Sequence, residues 1–212
     1  CRDRELPFRL SSANSINIGR LAPQVSYYFK AYRDLLDRGR IRPGDEVNFS
    51  VPTGNFGDIL AGHLARLSGL PVGRLVCASN ANNVLTDFIH TGVYDRRREF
   101  LRTISPSMDI LVSSNLERLL YLASGCDGEA VRSMMDSLRE NGCYRAPEQV
   151  MSAIRAGFDC GCASDAEAMD TIGRVFRKTH YLMDPHTAVA FNVAEQYAAD
   201  VDSDAPMVVV GT

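Results

Sequence analysis

The sequence predicts an α/β fold with three layers, in which helices cover both faces of a parallel sheet. Two strand patterns, at 47–52 and 73–80, alternate with helical segments, and a further apolar run closes the chain at 205–212. Such alternation is typical of a parallel sheet, because two parallel strands need a long crossover connection. Between 113 and 179, helical patterns follow one another without a strand signal, which predicts an α-helical insertion in the domain formed by 1–112 and 180–212.

The first predicted element is an amphipathic helix over Leu21–Asp37, with apolar side chains at helical spacing. A polar turn leads from it to the strand Val47–Val51. The odd positions of this strand are apolar and alternate with Asn48 and Ser50. This period of two predicts a strand with one buried face.

A second helix is predicted from Ile59, because leucines recur at helical spacing until Gly69 and Pro71 end the pattern. The continuous apolar run GRLVCASN at 73–80 is typical of a strand covered on both faces. A helix through NVLTDFIHTG at 83–92 follows. Near the end, the helix HTAVAFNVAEQYAAD precedes the closing strand APMVVVGT.

Composition excludes several classes of partner. The chain has 212 residues and a formal net charge of -3, which gives no electrostatic attraction to nucleic acid or to an anionic membrane. It contains no apolar run of the roughly 20 residues that a membrane span needs, and it does not start like a signal peptide. Of the 6 cysteines only Cys160 and Cys162 are close together, and C-x-C without a second pair is a poor zinc signal. We expect a cytoplasmic protein with reduced thiols and no bound metal.

The most informative local signal is TGNFGD, between the first strand and its helix. Glycines let the backbone approach a ligand closely, and the N–H groups at a helix N-terminus attract anions. The loop has neither the Gly-Lys-Ser/Thr of a P-loop nor the spacing of a dinucleotide fingerprint. Two interpretations stay open. Gly54, Asn55, Phe56 and Gly57 form a phosphate cradle, or this is an ordinary turn in which Asp58 caps its own helix.

A second polar cluster, SSANSINIGR, stands directly before the first helix. It is interpreted either as a cradle for an anionic substrate, with Arg20 as the charged clamp and Asn14 and Ser15 as donors, or as a loop that satisfies its own backbone. His186, in DPHTAVAF, lies at a helix entry and is a weak candidate for a pocket residue. A lone histidine is more often structural.

Several motifs together resemble one enzyme family. They are, in chain order, SSANSINIGR, VPTGNFGDILAG, SPSMDILVSSNLERLL, DPHTAVA and VVVGT, and they resemble threonine synthase. The resemblance covers nearly the whole chain and is weakest after Leu122. It implies a fold type II enzyme that uses pyridoxal phosphate and acts as a carbon–oxygen lyase in threonine biosynthesis. The implied reaction converts O-phosphohomoserine and water into threonine and phosphate.

The resemblance also implies roles for individual residues. The backbone N–H groups of Gly54–Gly57 would hold the cofactor phosphate, and Thr212 would hydrogen-bond the pyridine nitrogen. Asn14, Ser15 and Arg20 would hold the phosphate of the substrate. Asp58 is then better explained as the helix cap.

The sequence departs from the family at the catalytic lysine. In the family this lysine lies N-terminal to SSANSINIGR, and neither Lys30 nor Lys178 matches it. We therefore predict that the chain holds no catalytic residue and is an inactive piece of the enzyme's large domain. Two alternatives stay open: a non-catalytic, phospho-ligand-binding threonine synthase-like protein, and another fold type II pyridoxal-phosphate lyase. SSANSINIGR argues against the second, since it suits a substrate that carries its own phosphate.

Overall fold

The computed structural model describes residues 16–211, so the predicted site residues Asn14, Ser15 and Thr212 lie outside the described residues. In chain order its elements are α1 (Ile18–Asp37), β1 (Val47–Pro52), α2 (Gly57–Leu67), β2 (Val72–Ser79), α3 (Val84–Thr91), β3 (Val93–Asp95), a 3₁₀ turn (Pro106–Met108), α4 (Leu116–Ala123), α5 (Gly128–Asn141), β4 (Cys143–Arg145), α6 (Glu148–Arg155), β5 (Phe158–Cys162), α7 (Asp165–Thr179), α8 (Pro185–Asp200) and β6 (Met207–Val209). None of the helices within 16–211 is both long and apolar enough to cross a membrane.

The main sheet has 4 parallel strands in the order β5-β2-β1-β6. Its register places Ser50 of β1 between Val76 of β2 and Val209 of β6. A separate antiparallel pair joins β3 to β4. The predicted parallel sheet is confirmed.

Helices cover the sheet on both faces. On one face, Leu75 and Cys77 of β2 join a large hydrophobic core with α1, α2 and α3. On the other face, Val76 and Ala78 join a second core with α7 and α8. The alternation of side chains along β2 therefore supplies both cores, and the predicted three-layer arrangement is confirmed.

The prediction that β1 has only one buried face is wrong. Asn48 and Ser50 are 2% and 0% exposed, because α8 packs over their side of the sheet. Each has a partner there. The Ser50 hydroxyl donates to the Ala190 carbonyl at 2.7 Å, and the Asn48 side-chain oxygen accepts from the Arg74 N–H at 2.7 Å. Buried polar side chains with partners of this kind cost little.

The predicted absence of strands between 113 and 179 is also wrong. The helices α4 to α7 lie there, but so do β4 and β5, and β5 pairs with β2 in the main sheet. The five residues of β5 read FDCGC, which has one strong strand former and a glycine, so its local preference for a strand is weak. Pairing with β2 decides its conformation. The domain boundaries drawn at 112 and 180 stay a prediction.

Candidate phosphate-binding site

Three parts of the chain meet at the carboxyl edge of the sheet. The loop after β1, the 3₁₀ turn and the start of α8 are in contact, since the Ser107 N–H donates to His186 Nε2 at 3.2 Å. A Cβ built on Gly211, after β6, would lie 3.7 Å from Thr187 Oγ1 of α8. Open parallel sheets bind ligands at this edge. The loop TGNFGD predicted as a phosphate cradle therefore lies in a suitable place.

Residues of this loop line a small cavity. Within residues 16–211, the N–H groups from Gly54 to Ile59 have no hydrogen-bond acceptor. These residues line a cavity of about 170 Å³ together with Gln24 and Ser107. The positive end of α2 lies at the same cavity, since Phe56 and Gly57 line it, and Phe56, the N-cap residue, makes no side-chain capping bond. Such a set of free donors fits a phosphate group.

Phe56 joins this loop to the hydrophobic core. Its backbone is left-handed, with φ 62° and ψ 13°, while its side chain is 1% exposed and its ring centre lies 5.8 Å from that of Phe158. A left-handed conformation is unfavourable for a residue with a Cβ and persists only where the surroundings enforce it. The buried ring supplies part of that constraint.

Gly54 is needed because the 3₁₀ turn approaches closely. A Cβ at this position would lie 2.7 Å from the Ser107 carbonyl oxygen and 3.2 Å from Met108 Cα. Both are backbone atoms that cannot rotate away. Glycine here permits the loop and the turn to close one side of the cavity.

The carbonyl groups of Gly54 and Asn55 are hydrogen-bonded to residues that do not line the cavity. The Ser113 hydroxyl donates to the Gly54 carbonyl at 2.9 Å. The Asn55 carbonyl accepts from both the backbone N–H and the side-chain amide of Asn115, at 3.1 and 2.8 Å.

The prediction that Asp58 caps α2 is wrong. Asp58 lies inside the first turn of the helix, and Phe56 holds the capping position. Its partner is on α1, where the Tyr28 hydroxyl donates to the Asp58 backbone carbonyl at 2.8 Å and to its carboxylate at 3.2 Å. Burial raises the pKa of the Asp58 carboxyl to about 6, although the bond from Tyr28 opposes the rise. Asp58 thus connects α1 to the cradle.

His186 links α8 to the 3₁₀ turn. Its Nε2 accepts the Ser107 N–H, so the proton is on Nδ1, which lies 3.0 Å from Asp184 Oδ1. The same carboxylate caps α8 by accepting from the backbone N–H groups of His186 and Thr187 at 2.9 and 3.3 Å. This geometry gives His186 a structural role beside the cavity. A role as a ligand stays a prediction.

Arg20 lies in the first turn of α1, where its backbone N–H donates to the Asn17 carbonyl at 2.9 Å. Gln24 follows one turn later on the same face of the helix and lines the cavity. The start of α1 therefore runs past the cradle. Gln24 was not among the predicted site residues, because a single glutamine in a helical pattern carries no signal.

Comparison with known proteins gives the chain's relatives. No protein-family model matches it. The chain is 43% identical over 204 residues to threonine synthase-like 1 of Homo sapiens, an alignment that covers 96% of this chain and 27% of that protein. It is 42% identical over 204 residues to threonine synthase of Pseudomonas aeruginosa, covering 96% of this chain and 42% of that protein. The chain thus spans less than half the length of these relatives.

Solved structures agree. Threonine synthase from Brucella melitensis, a crystal structure with pyridoxal phosphate bound, superimposes with a TM-score of 0.89 at 44% identity, covering 96% of this chain and 42% of that one. Yeast threonine synthase gives 0.88 at 34% identity, covering 99% and 44%. A threonine deaminase shares the fold alone, with a TM-score of 0.59 at 12% identity. The resemblance in the motifs and the predicted fold type II architecture are confirmed.

Proposed function

We propose that this homologue of the threonine synthases holds the cofactor phosphate of a pyridoxal-phosphate enzyme. In the complete protein, that enzyme converts O-phosphohomoserine and water into threonine and phosphate. The observation that carries the proposal is the row of N–H groups from Gly54 to Ile59, which belong to residues lining one cavity and have no acceptor within 16–211. A phosphate dianion would accept these donors and complete the N-terminus of α2.

The proposed division of roles follows the cradle. Backbone donors of Gly54–Gly57 bind and orient the cofactor phosphate, and Thr212, two residues beyond Val210, contacts the pyridine nitrogen. Asn14, Ser15 and Arg20 bind the phosphate of the substrate. When bound, pyridoxal phosphate supplies an electron sink for charge that forms on the substrate amino acid. The chain's own residues fix where that sink lies.

We infer that the lysine that carries the cofactor belongs to a part of the parent protein outside this chain. Lys30 forms an ion pair with Asp34 at 2.5 Å on an exposed face of α1. Lys178 is exposed on α7. It lines a second cavity, of about 500 Å³, which Gly211 also lines. The chain alone is therefore proposed to be inactive.

Calorimetry with two non-reactive analogues tests phosphate recognition. Pyridoxine phosphate and pyridoxine differ only in the phosphate, and neither has the aldehyde that attaches to a lysine. We expect pyridoxine phosphate to bind this chain at least about tenfold more tightly, and inorganic phosphate to compete with it. Equal affinities for the two analogues would contradict the proposal.

Borohydride trapping tests the missing lysine. Pyridoxal phosphate is mixed with the chain, reduced with borohydride, and the labelled peptide is identified by mass spectrometry. We expect only weak labelling, shared between Lys30 and Lys178. Stoichiometric labelling of Lys178 alone would show that this chain carries its own lysine.

The similarity to threonine synthase-like 1 favours a second candidate, a phospho-ligand-binding protein without synthase activity. Phosphate release from O-phosphohomoserine, measured on the parent protein, distinguishes the two. Cofactor binding without release would support the second candidate. A cytoplasmic location belongs to both proposals.

A further inference from the structure

We propose that Asn115 and Ser113 are positioning residues, which aim the N–H groups of the cradle at the phosphate by holding the carbonyl groups of Gly54 and Asn55. The inference rests on the proposed function and extends it to the SSN segment, a part of the motif SPSMDILVSSNLERLL to which no role was assigned. These side chains do not touch the ligand. They act through the backbone of the loop.

The planarity of the peptide bond supplies the physical link. In a trans peptide the carbonyl oxygen of one residue and the N–H of the next point in opposite directions. The Gly54 carbonyl is held by Ser113 Oγ at 2.9 Å, so the Asn55 N–H must point the other way. Asn115 holds the Asn55 carbonyl with two donors, at 3.1 and 2.8 Å, and thereby fixes the direction of the Phe56 N–H.

The side chain of Asn115 is committed to this contact. Asn115 is the N-cap residue of α4, a position at which asparagine usually caps its own helix, yet it makes no capping bond there. Its side-chain oxygen instead accepts from Arg118, whose guanidinium also donates to the Ile16 carbonyl at 2.6 Å. Asn115 is 0% exposed. The arrangement links the cradle to the chain that enters α1.

Ser113 is held from behind in a similar way. It is 7% exposed, and its backbone N–H donates to the Tyr94 hydroxyl at 2.8 Å. That hydroxyl in turn donates to the Leu111 carbonyl at 3.1 Å. Because Ser113, Asn115 and Tyr94 are themselves buried, the loop cannot easily rotate its carbonyls into the cavity.

Left-handed Phe56 makes this support necessary. A residue with a Cβ adopts that conformation only at a cost in free energy. Without a partner for the Asn55 carbonyl, the peptide between Asn55 and Phe56 would relax, and its N–H would turn away from the cavity.

The test compares Asn115→Asp with Asn192→Asp. Asn115→Asp keeps the acceptor for Arg118 but replaces the side-chain donor to the Asn55 carbonyl with a second acceptor, and only the backbone N–H of residue 115 still donates to that carbonyl. Asn192, on α8, donates to Thr171 Oγ1 at 3.2 Å, accepts from Gln196 at 2.8 Å and does not line the cavity, so it is the control. We expect Asn115→Asp to lower the affinity for pyridoxine phosphate about tenfold with little change for pyridoxine, and Asn192→Asp to leave both within about twofold.

A loosened fold would weaken both ligands alike, so the ratio of the two affinities separates positioning from general damage. Ser113→Ala, which adds no charge, separates positioning from repulsion by the new carboxylate, because it too should lower the preference, by about threefold. If the unaltered chain shows no preference for the phosphorylated analogue, the proposed function fails and the positioning role with it. If the preference exists and Asn115→Asp retains it, only the positioning role is overturned. Should Asn115→Asp not fold, Ser113→Ala decides: a loss of about threefold in the preference supports the role, and an unchanged preference overturns it.

Discussion

Helices α2 and α8 begin at the same edge of the sheet, but only α8 has a side-chain cap for the N–H groups of its first turn. The first turn of α8 is closed by Asp184, whose carboxylate accepts the N–H groups of His186 and Thr187 at 2.9 and 3.3 Å. The first turn of α2 begins after Phe56, whose side chain supplies no acceptor. One helix thus satisfies its own donors, and the other presents them to a cavity.

The difference shows what marks an anion site in a strand-to-helix loop. Glycines occur in many such turns, but Ser, Thr, Asp or Asn usually stands at the N-cap position and satisfies the helix. In α2 a buried aromatic residue holds that position instead, and the loop is kept open by contacts from Ser113 and Asn115. An unsatisfied helix start that the fold actively supports is the stronger signal.

Gly54→Ala should have the largest effect, because it damages the open helix start directly. The new Cβ would lie 2.7 Å from the Ser107 carbonyl oxygen, so loop and turn must separate. We expect the free energy of unfolding to fall by about 3 kcal/mol and the affinity for pyridoxine phosphate to fall more than about tenfold. Denaturant titration and calorimetry measure the two.

Gly128→Ala is the control, since Gly128 begins the capped helix α5 and a Cβ there meets no atom within 4 Å. It should leave stability unchanged or slightly raised. Equal losses from both alanine variants would show that the close contact at Gly54 is not what matters.

Asp58→Asn should have the second-largest effect, and it should raise both the stability of the chain and its affinity for pyridoxine phosphate. The folded-state pKa of Asp58 is raised from 3.8 to about 6, so the folded chain binds the proton more tightly than the unfolded chain. Stability of the unaltered chain should therefore fall as pH rises from about 4 to about 6, and the Asp58→Asn variant should lack this slope. At neutral pH we expect its free energy of unfolding to be about 2 kcal/mol higher and its binding of pyridoxine phosphate several-fold tighter, because a like charge has left the cradle.

Asp34→Asn, at an exposed position on α1, serves as the control for that experiment. It should leave the slope between pH 4 and pH 6 in place, because an exposed ion pair of this kind contributes little to stability. A slope that survives in Asp58→Asn would mean that another group titrates there.

Asp184→Ala, which removes the N-cap of α8, should have the third-largest effect. Removal of the cap leaves two N–H groups and the His186 ring without their acceptor, which should lower the free energy of unfolding by about 1.5 kcal/mol. The affinity for pyridoxine phosphate should change less than about threefold. Ser164→Ala, which removes the side-chain cap of α7, provides the comparison at a helix that starts after β5 at the same edge of the sheet but does not line the cradle cavity. A loss of affinity greater than about threefold would place Asp184 in the site.

Arg20→Ala should have the smallest effect on the free energy of unfolding of this chain and on its affinity for pyridoxine phosphate. Arg20 is exposed in the first turn of α1, and exposed substitutions usually change stability by under about 0.5 kcal/mol. In the parent protein, however, phosphate release from O-phosphohomoserine should fall far more than cofactor retention. Equal losses of both would remove Arg20 from the substrate site.

Local patterns in the sequence predicted most of the fold. The strands β1, β2 and β6 and the helices between them follow from the spacing of apolar residues. Burial of Ser50 under α8 and the strand FDCGC were missed, because partners distant in sequence decide both.

For the site, sequence predicted the glycine loop but not its supports. Ser113 and Asn115 follow Gly54 by about 60 positions, and only the folded chain brings them together. The prediction that Asp58 caps its helix was wrong for a similar reason, since the hydroxyl of Tyr28 on α1 donates to its carboxylate. Resemblance to a family identified SSN as part of a motif, and only the contacts suggest its purpose.

The ring of Phe56 lies in the core and its backbone lies in the cradle. Ligand binding at the cradle is therefore coupled to the stability of the fold. A ligand that binds only the folded chain adds about 2.7 kcal/mol at a hundredfold excess over its dissociation constant. For a domain of ordinary stability that gain is large. Supply of the phosphorylated ligand would then govern how much of this protein escapes proteolysis, so that its abundance in the cell follows the ligand and not only its rate of synthesis.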